Sequence, residues 1–294
     1  MSSQLIFEAI GTHWVIDLYG EYTAEQVDLV YHKILERIAI FDKTYSRFRD
    51  DSVVSEMART AGDYVLPDDA KELFAVYKKM YDVTHGLVTP LIGQVLVDAG
   101  YDAKYSLIQK KPLTKPLGWD EVFSYTAPQI HMRVPALLDF GAAGKGYCVD
   151  VVSQVIEGYG IHAYCVDAGG DMRHRHVAGP ALTVGLEHPE DTTQVIGTVT
   201  LSNASLCGSA GNRRVWQNFH HVISPETLTS PQDILAVWVV ADSTIVADAL
   251  TTGLFFVSPD ILRHHFTFEY VIIKSDYSCE KSDGFPGELF LEKR

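Results

Sequence analysis

Residues 136–146 read ALLDFGAAGKG, and few segments of the chain leave the backbone so little choice. Ala136 to Phe140 form an apolar run that demands burial. Gly141, Gly144 and Gly146, with two alanines among them, then make a turn where backbones can approach closely. YCVDVVSQVIEGYG follows as a helix closed by Gly158 and Gly160. A strand that enters a small-residue turn and leaves as a helix exposes N–H groups at the helix start. The dipole there favours a phosphate, and Lys145 adds a mobile cation at the same place. The segment is not a Walker loop, because GxxxxGK[ST] would need Gly at 139 and Ser or Thr at 146, where Asp139 and Gly146 stand. GxGxxG does not match either, so a generic nucleotide triphosphatase is disfavoured. Taken alone, the segment is equally well explained as a tight turn carrying a solvated lysine.

Around it, FEAIGTHWVIDLYG (7–20) reads as a strand broken by Gly11 and ended by Gly20. TAEQ (23–26) is a capping box, with Thr23 as N-cap and Gln26 at N3, ahead of Val27, Val30, Ile34, Ile38 and Phe41 at helical spacing. Pro67-Asp68-Asp69 opens a second helix with Leu73, Val76, Met80 and Val83 on one face, ended by Gly86 and Pro90. AYCVDAGGD (163–171) is a strand running into a diglycine. Further strands are expected at 181–187, 195–201, 219–224, 234–241 and 268–274, and a helix at 244–256 capped by Ser243 or Thr244. Helices and strands mix without regular alternation. That predicts an α+β (mixed α/β) architecture rather than a doubly wound sheet. No Pro/Ser-rich linker divides 1–294, so one domain without an internal boundary is expected.

Composition bounds the partners. With 24 Lys and Arg against 38 Asp and Glu, the net charge is −14, which disfavours nucleic acid and anionic membrane surfaces while allowing a local basic pocket. The longest apolar run, Ile234 to Ala241, is too short to cross a bilayer, and MSSQLIFEAIG has no cationic and apolar leader pattern. Cys148, Cys165, Cys207 and Cys279 form no CxxC pair and read as reduced thiols. These features lead us to expect a cytoplasmic protein without membrane insertion.

Several side chains carry chemistry if they converge. Asp248 and Thr252 stand at i and i+4, on one helix face near its start, and offer two hard oxygens suited to Mg²⁺. Most such pairs are only helix surface. His221 lies in NFHHVISP, where strand alternation would turn it into a cleft and His220 away from it. Arg213 and Arg214 can bind phosphate or lie on a solvated face, and DAGGD (167–171) marks a close backbone approach or an ordinary turn.

In order, the chain carries IGTHW (10–14), YSRFRDDSVVSEM (45–57), DAGYD (98–102), LDFGAAGKGYCVD (138–150), DAGGD (167–171), LCGSAGNRR (206–214), HHVISPETLTSP (220–231) and ADALTTGLF (247–255). This series resembles the ApbE family, the FAD:protein FMN transferases, over essentially the whole chain. The resemblance implies an ApbE-like flavin transferase fold with mixed sheets flanked by helices. It also implies an enzyme that takes FAD and Mg²⁺, releases AMP and attaches FMN to a Thr or Ser hydroxyl of an acceptor flavoprotein. By the same resemblance, Mg²⁺ would be held by the backbone carbonyl of Ala142 and the side chains of Asp248 and Thr252. Asp139 and Lys145 would face FAD. Ile10, Phe48, Gly100 and Tyr101 would contact the flavin nucleotide, Ile223 would border it, and His221 would act as the base. The chain departs from the family pattern at Ile10 (usually Met), Ala210 (Gly), Ser224 (Asp), Leu228 (Gly of a D-P-x-T-G turn) and Val88-Thr89 (Phe-Asp). Two other readings stay open: an Mg²⁺-dependent FAD pyrophosphatase giving FMN and AMP, and a non-catalytic FAD-binding paralogue.

Overall fold

A computed structural model of the chain describes residues 2–290, apart from the side chains of Asn212 and Arg213. Its main sheet takes eight strands in chain order: β1 (Ser2–Ala9), β2 (Thr12–Tyr19), β3 (Ala163–Ala168), β4 (Asp171–His176), β5 (Ser205–Ala210), β6 (Ile234–Ala241), β7 (Glu269–Lys274) and β8 (Cys279–Lys281). Every neighbouring pair is antiparallel. The long helices are α1 (Ala24–Tyr45), α2 (Ala70–Val83), α3 (Gly144–Gly158) and α4 (Thr244–Gly253). Three smaller antiparallel sheets complete the mixed α+β arrangement: one of Gly62–Val65, Gln129–Met132 and Phe123–Thr126, one of Leu182–Glu187, Val195–Leu201 and Gly287–Leu289, and a two-stranded one of Val215–Trp216 and Phe219–His220.

β6 explains why its sequence is unbroken in hydrophobicity. Val237, Val239 and Ala241 enter the main core with α3 and α4, while Ala236, Trp238 and Val240 enter a second core with Leu186, Val199 and Leu201. A strand covered on both faces has no place for alternating polar residues. α1 starts as its capping box requires: Gln26 N–H donates to Thr23 Oγ1 at 3.2 Å and Thr23 N–H to Gln26 Oε1 at 2.9 Å. In α2 the buried face is Leu73, Phe74, Tyr77 and Met80, with Val76 and Val83 only half-buried.

The structure departs from the expected elements in five places. Residues 7–20 are not one strand but most of a hairpin, reversed at Ile10 (φ 45°) and Gly11 (φ 73°). A two-residue turn of this hand needs positive φ twice, so Ile10 occupies a conformation that a branched side chain seldom adopts. ALLDF is not a strand. Ala136 N–H donates to Met57 O and Asp139 N–H to Pro90 O, so the run is buried by irregular chain rather than by a ladder. α3 begins at Gly144, which places Lys145 in its first turn. The strand expected at 219–224 stops at His220. Ser224 and Thr229 close a turn, with Ser224 N–H bonded to Thr229 O and Leu228 N–H to Ser224 O, both 2.9 Å. Leu228, at the position of the family's glycine, keeps the left-handed backbone at φ 60°. Lastly, α4 ends at Gly253, which puts Asp248 at mid-helix and Thr252 in its last turn rather than near the start.

Candidate active site

α3 and α4 lie against each other because residue 146 is glycine. A Cβ there would stand 2.3 Å from Thr244 O and 2.7 Å from Asp248 Cβ. At this contact each helix satisfies N–H groups that the other's first turn leaves bare. Asp248 Oδ2 accepts Gly146 N–H at 2.8 Å. From α3, Asp150 accepts Thr244 N–H at 3.1 Å and Ile245 N–H at 2.8 Å. Asp150 therefore does the capping expected of Ser243 or Thr244, and Ser243 makes no side-chain cap bond.

Lys145 is paired. Its Nζ lies 3.0 Å from Asp171 Oδ2, at the start of β4. Asp171 is 1% exposed and Asp248 5%, so two buried carboxyl groups lie in the field of one ammonium, which is seated on Asp171. Burial, and then repulsion by Asp171, pushes the Asp248 carboxyl well above the usual range. Burial disfavours the Lys145 charge as well, but Asp171 and Asp248 outweigh it and hold the ammonium above its ordinary value. With Asp248 ionised, two carboxylates would outweigh the one ammonium, and the Thr252 hydroxyl stands one turn from Asp248. Hard oxygens with excess negative charge are the donor set of a cation such as Mg²⁺, so the residues present fit one.

A cleft of about 1020 Å³ opens over this cluster. Its wall includes Ala142, Lys145, Asp248 and Thr252, together with Ile10, Phe48, Tyr101, Asp139, His221 and Ile223. Gly100 is set behind the wall. It ends the helix Gly93–Ala99 at φ 110°, and a Cβ on it would lie 2.5 Å from Ile108 N, so it shapes the Tyr101 turn instead of facing the cleft.

Phe48 and Tyr101 belong to a larger aromatic group. Phe48 stacks on Tyr105 at 5.5 Å and meets Tyr101 edge-on at 5.6 Å, and Tyr101 reaches Trp216 at 5.7 Å. The Arg47 guanidinium lies 4.2 Å over Phe48 and 4.7 Å over Tyr101, pairs with Asp139 and donates to Tyr101 O at 2.7 Å. Arg214 Nη1 donates to Tyr101 Oη at 2.6 Å. Sequence reasoning missed Arg47, Tyr105 and Asp171. The Arg47-Phe48 adjacency and the second aspartate of DAGGD were the available signals. The Arg213 side chain lies outside the described residues.

The two histidines differ. His220 Nδ1 accepts Val222 N–H at 3.2 Å, so its Nε2–H donates to Pro231 O at 2.7 Å and ties residues 220 and 231 together. It is a fastener, not the dispensable member of the pair. His221 lines the cleft, and its buried Nδ1 has no hydrogen-bond partner. Burial first, then Arg214, His220 and Lys145, push its imidazole down to about 3, so it is neutral at neutral pH.

Similarity to known proteins agrees with this geometry. An FAD:protein FMN transferase of Haemophilus influenzae is 24% identical over 290 residues, covering 87% of this chain and 80% of the relative. The crystal structure of the ApbE protein of Thermotoga maritima superposes with a TM-score of 0.84 at 19% identity, over 98% of this chain and 100% of that one. The flavin transferase ApbE of Vibrio cholerae gives 0.75 at 17% identity, over 96% of each chain. At these identities the structures establish the fold. The ApbE family model matches residues 10–268, a span that holds both cross-capped helices and the aromatic group, and the chain belongs to the ApbE family.

Proposed function

We propose that this chain transfers FMN from FAD to a Thr or Ser hydroxyl of an acceptor protein, with release of AMP. The observation that carries the reading is the meeting, in one cleft, of a buried acid with a half-buried hydroxyl one turn away, a lysine, a neutral histidine and an aromatic group. The name of the Haemophilus influenzae relative supports the same activity. Asp248, Thr252 and the Ala142 carbonyl would hold Mg²⁺, which when bound supplies the positive charge that a pyrophosphate displacement needs.

The chain's own residues do the rest. The exposed rings of Phe48 and Tyr105, backed by Tyr101, would offer apolar surface for the isoalloxazine, and Lys145 would set a second positive charge beside the phosphates. The acceptor hydroxyl oxygen forms a bond to the phosphorus on the riboflavin side. The bridging P–O bond breaks, and its oxygen leaves with AMP. His221, neutral in the cleft, takes the hydroxyl proton, and the anionic pyrophosphate beside it offsets the cations that hold its basicity down.

The test is to incubate the protein with FAD, Mg²⁺ and a recombinant acceptor domain from the same genome, and to weigh the products intact. The expected outcome is an acceptor heavier by one FMN with equimolar AMP. Asp248→Ala should lose both by about 10²–10³-fold, the scale of losing a charge that stabilises the transition state. AMP without a heavier acceptor would identify a pyrophosphatase, and FAD retained without AMP a non-catalytic binder.

A further inference from the structure

We propose that Asp171 is a positioning residue that holds the Lys145 ammonium off Asp248 and so keeps that carboxylate open to a cation. The inference rests on the reading of Asp248 as a cation ligand. Lys145 precedes Gly146, whose N–H is bonded to Asp248 Oδ2, so the lysine starts its reach beside that acid. A flexible four-carbon stem can serve either buried carboxylate. An ammonium seated on Asp248 would satisfy its charge and compete with a divalent ion for the same oxygens. In the structure it sits on Asp171 instead, at 3.0 Å.

The fold invests in that choice. The hairpin between β3 and β4 turns on Gly169 (φ 63°) and Gly170 (φ 97°), and Gly170 N–H is fixed on Asp167 Oδ1 at 2.8 Å. This tight reversal delivers Asp171 to the first position of β4, almost fully buried, opposite Ala168. The Lys145 ammonium compensates the buried Asp171 Oδ2, with the Cys207 thiol as a further neighbour of the carboxyl group. Asp167, Gly169, Gly170 and Met172 all line the cleft, whereas Asp171 is not on its wall among the described residues. It therefore acts through Lys145 and not by touching a ligand.

Mn²⁺ alone, titrated into the FAD-free protein and followed by electron paramagnetic resonance of the free ion, tests this without any turnover. Wild type should bind one ion per chain and Asp248→Ala none. Failure there overturns the cation-site reading, and this proposal with it. Given that site, Asp171→Asn should weaken Mn²⁺ binding by about 10- to 100-fold, as loss of a partner behind a metal ligand does. Lys145→Met alone, and Lys145→Met combined with Asp171→Asn, should each stay within about twofold of wild type, because no ammonium is left to move. The proposal is overturned if the double variant is as weak as Asp171→Asn, which would make Asp171 a direct contributor. It is equally overturned if Lys145→Met tightens binding as much as Asp171→Asn loosens it, which would reduce both to additive charge effects. Should Asp171→Asn lose its near-ultraviolet circular dichroism, Asp171→Ser carries the same expectation.

Discussion

Around Asp248 the cleft is made of helix backbone and buried charge; around Phe48 it is made of rings carried on loops. In the first region two helix starts share their unpaired N–H groups across a glycine contact, and each acid has a partner fixed to within a few tenths of an ångström. In the second, Phe48 is 37% exposed and Tyr105 50%, and the positions come from stacking and cation contacts. Tyr105 itself sits at φ 50°, outside any regular element. The contrast suggests a division of labour. Under the proposed function, the first region would set the rate, where sub-ångström placement of charge matters, and the second would set flavin affinity.

The strongest way to sharpen that division is His221→Ala. Removing a general base should cut turnover by about 10²–10⁴-fold while the affinity for FAD, read by quenching of flavin fluorescence, stays close to wild type. The imidazole is held near 3 in the free protein, so at saturating Mg²⁺, which keeps the Asp248 carboxyl ionised, kcat/KM of wild type should be level between about pH 5 and 7 rather than falling below 6.5. A break near 6.5 would place the base elsewhere.

Next in size is Asp150→Ala, which should lower unfolding free energy by about 1–3 kcal/mol in urea denaturation, because two N–H groups at a buried helix start lose their acceptor. A variant as stable as wild type would mean that the helix contact, not the cross-capping, holds the first region. Smallest is Phe48→Ala. One ring contact is worth about 0.5–1.5 kcal/mol, so FAD should bind about two- to tenfold more weakly with turnover at saturating FAD unchanged. A fall in turnover instead would break the division.

The same contrast decides what could be read from the sequence. LDFGAAGKGYCVD and ADALTTG were legible because helix geometry converts spacing into position: i and i+4 share a face wherever the helix packs. The capping box of α1 was legible for the same reason, whereas β6 was expected only as a strand at 234–241 and its coverage on both faces came from the structure. Asp150 as the cap of α4, and Asp171 as the partner of Lys145, were not, since each acts on a residue far away in the chain. His221 was placed in the cleft by an alternation that the structure does not contain. The strand stops at His220, and the residue arrives there through the turn that Ser224 and Leu228 close. Gly100 was expected at the flavin because the resemblance carries over the whole Gly100-Tyr101 turn, yet only Tyr101 lines the cleft and Gly100 lets Ile108 pass.

The shared helix starts also bear on how the chain folds. Gly146 and Asp248 are 102 residues apart, and Asp150 and Ile245 are 95 apart. Closing loops of that length is slow and unrewarded until both ends meet. During synthesis α3 emerges about a hundred residues ahead of the acid that completes its first turn, so a half-made chain carries the glycine turn with its N–H groups still open to water. The two helix ends finish one another, so neither first turn has its native partners until residue 248 has been made.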